Sequence, residues 1–243
     1  MAIAQTALSE IPQRLERVRD EIRDAATRAG RNPSDVRLIA VSKGFPPEAI
    51  ATALEAGQTE FGENRVQELQ SKVDLVPEGI RWHFVGRLQR NKVAKLVRMA
   101  EVIHSIDSLQ LAEEVSSRAE RLVEVLVEVN VAGEERKGGV APGELPDLVE
   151  AIAGLPRLQV TGLMTMAPRV ADEEEVRPVF RKLADLRRQV AERYSYPRIH
   201  HLSMGMSQDY RVAVEEGSTM VRVGEAIFGP RSHRAHNFSD SER

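Results

Sequence analysis

Short runs rich in β-forming residues alternate along this chain with stretches of helical apolar period, and the alternation recurs eight times. The runs are VRLIAVS, TEFGE, RWHFVG, EVIHSID, LVEVLVEVNV, LQVTGLM, IHHLSMG and TMVRVG. Between them lie PEAIATALEAG, RVQELQSKVDLV, KVAKLVRMA, LQLAEEVSSRAERL, LPDLVEAIAGL, EEVRPVFRKLADLRRQVAERY and QDYRVAVEEG. Helical crossovers of this length return the chain to the same end of a sheet, so the strands must run parallel. Eight such units close a (β/α)8 TIM barrel, a fold for which 243 residues is a usual length. The competing arrangement, an open doubly wound sheet, lacks its customary mark, because no G-x-G-x-x-G follows the first run. An extra N-terminal helix is expected before the first strand. Ile11, Leu15, Val18, Ile22 and Ala25 recur at helical spacing, with Ser9 read as the N-cap and Gly30 as the stop. One domain over residues 1–231 is expected, followed by a polar, frayed tail over 232–243 whose two histidines are read as solvated.

Composition narrows the chemistry. With 42% hydrophobic and 29% charged residues and a net charge of −3, the chain is globular and has no basic footprint for nucleic acid or an anionic membrane. Any anion it binds must be held locally. The absence of cysteine excludes disulfides and thiolate metal sites and points to the cytoplasm. No segment reaches the roughly 20 apolar residues needed to cross a bilayer, and the start has no apolar signal core. The histidines show no metal-ligand spacing. His200 and His201 fall on opposite faces of one strand, so one is expected in the core and one exposed.

A barrel builds its site at the C-terminal ends of its strands. There this sequence places Lys43 after strand one, Glu63 and Asn64 after strand two, Asp107 after strand four, Ser203 to Ser207 after strand seven, and Arg222 with Gly224 at strand eight. In GSTMVRVGEAIFG, a glycine opening a short helix turns the backbone N–H groups of Gly224 and Glu225 toward an anion, where barrels often hold phosphate. Ser207 can add a hydroxyl from the neighbouring loop, although Gly and Ser are also ordinary turn residues. The Glu225 carboxylate must point away, since it would repel a phosphate. Lys43 ends an apolar strand. In a partly desolvated mouth a lysine amine is more readily neutral and attacks aldehydes to form Schiff bases. The plain alternative is a lysine reaching past the strand end to water. For Arg222 the alternative is a salt bridge to Glu63 or Asp107.

Taken together, AVSKGFPPEAIATALEAGQTEFGENRVQE, WHFVGRLQRNK, HSID, GLPRLQVTGLMTM and HLSMGMSQDYRVAVEEGSTMVRVGEAIFG resemble the YggS/PROSC family, the pyridoxal 5′-phosphate homeostasis proteins. The resemblance covers about residues 8 to 231. It implies the barrel of alanine racemase without that enzyme's second domain, holding pyridoxal 5′-phosphate as an internal aldimine. The aldimine lysine then falls on Lys43, and Asn64 lies beside the cofactor ring. Ser207 contacts the phosphate, Arg222 faces the pyridine nitrogen, and Gly224 and Glu225 give backbone N–H groups to the phosphate. Many relatives have threonine where this chain has Glu225, so only the backbone contact carries over there. The resemblance implies a non-catalytic, monomeric carrier that serves vitamin B6 homeostasis and delivers the cofactor to apoenzymes. Lys137 in GEERKGG is a candidate second amine at the mouth, or else a solvated loop lysine. Two enzyme readings remain beside this one: an amino-acid racemase, and a cofactor-free Schiff-base aldolase. A purely structural role for Lys43 and Arg222 is the third alternative.

Overall fold

The computed structural model describes residues 8–134, 138–168, 170, 172–194 and 199–230. Lys137 and the tail at 232–243 lie outside these described residues. The strands are β1 (Arg37–Val41), β2 (Glu60–Glu63), β3 (Arg81–Phe84), β4 (Val102–Ile106), β5 (Val123–Glu128), β6 (Leu158–Met164), β7 (His201–Ser203) and β8 (Met220–Val223). They pair in that order, all parallel, and β8 closes back on β1. The fold expected from the alternation is therefore the one observed. Among the described residues no helix is long and apolar enough to cross a membrane, and no group of three or more His, Asp or Glu is placed to hold a metal ion.

The helices are α1 (Ile11–Arg28), α2 (Pro47–Glu55), α3 (Val66–Lys72), α4 (Val93–Leu96), α5 (Leu109–Arg118), α6 (Leu145–Ala153), α7 (Arg177–Tyr194), α8 (Tyr210–Glu215) and α9 (Glu225–Phe228). In α1 the predicted stripe of Ile11, Leu15, Val18, Ile22 and Ala25 is buried, and the helix packs against α2, α8 and α9. Its start differs from expectation. Glu10, not Ser9, occupies the N-cap position, and a proline lies in the first turn, where its missing N–H costs nothing.

Successive side chains of a strand face opposite sides, and this divides the apolar residues into two bodies. Outward residues such as Phe61, Trp82 and Phe84 join the large core beneath the helices. Inward, Ile39, Val102, Leu126, Met164 and Met220 form a separate plug. Beside the plug the interior is polar: His83, His104, His201, Ser203 and Arg222 are all buried. His201 is the buried member of its pair and His200 the exposed one, as the strand alternation predicts. Leu126 is fully buried in the plug, so Leu126→Ala should lower the unfolding free energy by about 2–5 kcal/mol, read from urea denaturation midpoints.

Candidate functional site

β1 delivers Lys43 to the C-terminal mouth, and the backbone on both sides of it is pinned. Ser42 N donates to Gly62 O at 3.0 Å, extending the β1–β2 pairing by one residue. Lys72 Nζ, from the end of α3, donates to Ser42 O at 2.9 Å and to Glu63 Oε1 and Glu68 Oε1 at 2.7 Å each. The Ser42 hydroxyl donates to Glu63 Oε1 at 2.7 Å, and Gly44 N donates to Glu68 Oε1. One helix thus grips the carbonyl before Lys43 and the amide after it. Burial pushes the Glu63 carboxyl up, and the Lys72 ammonium opposes that shift. Glu63 accordingly serves Lys72 rather than Arg222. The reason is strand alternation: Gly62 faces the barrel interior, so Glu63 faces the helices. Lys72 and Glu68 were missed by sequence reasoning, because a Glu and Lys four residues apart look like any helix surface pair.

Arg222 comes from β8, one strand away from Lys43 across the closing seam, where Ile39 is in register with Arg222 and Ala40 with Val223. It is 5% exposed. Its guanidinium donates to Ser203 Oγ and, at 2.9 Å, to Thr165 O, so neither of these hydrogen bonds goes to a carboxylate. Burial lowers its pKa to about 10, with Asp209 and Glu128 opposing from a distance, and it remains a cation at neutral pH. Neither salt bridge anticipated for Arg222, to Glu63 or to Asp107, is among its contacts. Glu128, at the end of β5, is itself pushed up by burial and by the nearby Asp107.

Immediately after Arg222 the chain turns into α9. A Cβ on Gly224 would sit 2.9 Å from Val41 O, so only glycine lets this turn lie against the end of β1. Gly224 N and Ala226 N converge on Ser207 Oγ, at 3.2 and 3.4 Å. Ser207 is thus brought to the turn as expected, with Ala226 as a second amide partner. Glu225 is exposed, so its carboxylate is turned to solvent, as its charge requires. Asn64 is half-buried just past β2, where a Cβ on Gly86 would lie 2.0 Å from Asn64 O. Glycine at 86 is what allows the ends of β2 and β3 to approach so closely. Tyr210, the nearest candidate acid, is turned away: its hydroxyl donates to Glu21 Oε2 at 2.5 Å on α1, outside the barrel.

An amine, a buried guanidinium and an amide-and-hydroxyl cradle thus line adjacent strand ends. The set suits a phosphorylated aldehyde: the amine for the aldehyde carbon, the cradle for the phosphate, and the guanidinium for a polar atom between them.

The sequence matches the alanine racemase N-terminal domain over residues 13–232. It is 45% identical over 225 residues to the pyridoxal phosphate homeostasis protein of Aquifex aeolicus, covering 91% of this chain and 98% of that one. To the protein of the same name from Escherichia coli K12 it is 41% identical over 238 residues, covering 93% and 99%. The chain belongs to this family. Among solved structures it resembles PipY of Synechococcus elongatus PCC7942 with PLP bound, at 35% identity and a TM-score of 0.79, covering 90% of this chain and all of that one. D-threonine aldolase from Filomicrobium marinum shares the fold, with a TM-score of 0.73 at 19% identity.

The Lys72 grip has a measurable consequence. Lys72→Met leaves the Glu63 carboxylate buried without its cation, and should cost about 3–5 kcal/mol in urea unfolding, with Glu63→Gln in the same chain recovering part of the loss.

Proposed function

We propose that this protein binds pyridoxal 5′-phosphate at the barrel mouth and keeps it available for other proteins, without strong catalysis of its own. The observation that supports the reading is the β1–β8 seam, which lays the end of β1, followed by Lys43, against the Gly224 turn, where Gly224 N meets Ser207 Oγ and Arg222 comes from the paired strand. Lys43 is the amine that takes the aldehyde. Ser207 and the N–H groups of Gly224 and Glu225 receive the phosphate, and Asn64 borders the ring. When bound, the cofactor supplies an aldehyde that condenses reversibly with amines, so an incoming amine can take it over from Lys43.

The case against strong catalysis rests on two features of the chain. A guanidinium is a permanent donor, and Arg222 facing the pyridine nitrogen would keep that nitrogen unprotonated. An unprotonated ring is a weaker electron sink for carbanion chemistry. A racemase also needs an acid or base on the opposite side of the substrate, and Tyr210 is committed to Glu21. On this reading the protein is a cytoplasmic monomer whose recipients are PLP-dependent apoenzymes, and its net charge of −3 favours neither nucleic acid nor an anionic membrane as partner.

The purified protein mixed with pyridoxal 5′-phosphate should develop the near-visible absorption of cofactor attached to an amine, and Lys43→Ala should not. Wild type that stays colourless would return a cofactor-free aldolase to first place. Exchange of the α-proton of an added amino acid into solvent at a rate typical of racemases would overturn the carrier reading. Ser207→Ala should weaken cofactor binding about tenfold, from loss of about 1.4 kcal/mol, measured by equilibrium titration.

A further inference from the structure

Resting on the reading of Arg222 as the residue facing the pyridine nitrogen, we infer that Ser203, His104 and His83 are positioning residues for it. They form a hydrogen-bonded chain of fixed direction that crosses the barrel interior from Arg222 to His83, with the Glu60 carboxylate beyond it. Three hydrogen bonds link its members. Arg222 Nη1 donates to Ser203 Oγ. Ser203 Oγ lies 2.8 Å from His104 Nδ1 and His104 Nε2 lies 2.9 Å from His83 Nδ1, while His83 Nε2 faces Glu60 Oε2 at 3.5 Å, within ion-pair range but without a hydrogen bond. Ser203, His104 and His83 are each 0% exposed, so no water competes for these groups.

Donor and acceptor counts assign its direction. The Ser203 oxygen already accepts from Arg222, and its own proton needs an acceptor, since a buried hydroxyl without one is costly. The acceptor within reach is His104 Nδ1, so the His104 proton sits on Nε2 and is donated to His83 Nδ1. The His83 proton then sits on Nε2, toward the Glu60 carboxylate. Every donor points from the cation at the mouth to the anion at the far end, so each link polarises the next in the same sense. Both imidazoles are held neutral by burial. The groups around them from neighbouring strands add to this, with Arg222, His201, Arg81 and Arg37 disfavouring a charged ring and Glu60 alone favouring it. Charging either ring would put a second donor where the chain needs an acceptor. Ser203 and Thr165 thus clamp the guanidinium from two sides, and the histidines hold the serine hydroxyl in the orientation that the clamp requires.

Two measurements test this, one of them without cofactor. Long-range proton–nitrogen NMR spectra of the cofactor-free protein at about pH 7 should show His104 and His83 neutral, with the proton on Nε2. His104 with its proton on Nδ1, or a charged ring at either position, would overturn the assignment. In the second, His104→Leu removes the acceptor for Ser203, whereas His104→Asn retains an oxygen near the Nδ1 position. With pyridoxal 5′-phosphate, His104→Leu should bind at least about tenfold more weakly and shift the pH profile of the bound cofactor's absorption, while His104→Asn restores most of both. Folded His104→Leu with wild-type affinity and pH profile would refute the positioning role. If His104→Leu does not fold, Ser203→Ala is scored by the same two readouts. Failure of the wild type to bind the cofactor would sink the reading of the mouth instead, and the chain would then stand or fall on the histidine tautomers.

Discussion

Everything at the mouth depends on the pairing of β8 with β1 that closes the barrel. Residues 37–40 and 220–223 are separated by almost the whole described chain, yet they stand in register. That register sets the lysine on one strand end against the glycine turn on the next, and the Gly224 backbone meets Val41 at a distance no other residue would allow. A shift of one residue would turn Arg222 out of the barrel and Val221 and Val223 into it. The plug beneath, with Ile39 and Met220 on these two strands, fits the interior in only one of those registers.

Three of the described cations at the mouth are handled in three different ways. Lys72 is buried and neutralised by two carboxylates, Glu63 and Glu68, so its charge is spent on holding backbone. Arg222 is as deeply buried but is held by a hydroxyl and a carbonyl, which satisfy donors without cancelling charge. Lys43 is half-buried at the rim. The division matches a site that binds and releases. A fixed cation and a fixed scaffold behind Lys43 suit the proposed binding and release of an aldehyde.

Much of this was legible in the sequence because it follows from periodicity. Alternating strand and helix patterns specified the barrel, the rule that sites lie at strand ends gathered Lys43, Glu63, Asn64, Asp107, Ser207, Arg222 and Gly224, and the family resemblance chose among them. What periodicity leaves out is partner choice across the fold. Glu63 looked available to Arg222, yet strand alternation turns it outward to Lys72. His104 and Ser203 are 99 residues apart and meet only through the inward faces of β4 and β7. Ser9 had the right residue type for a cap, but its own backbone is helical and α1 starts after Glu10.

On the proposed reading, Lys43 is the amine that takes the cofactor aldehyde. Borohydride reduction after incubation with stoichiometric pyridoxal 5′-phosphate, followed by peptide mass spectrometry, tests it most directly. The account predicts a phosphopyridoxyl adduct concentrated on Lys43. An adduct spread over exposed lysines, concentrated on Lys137, or absent would contradict it.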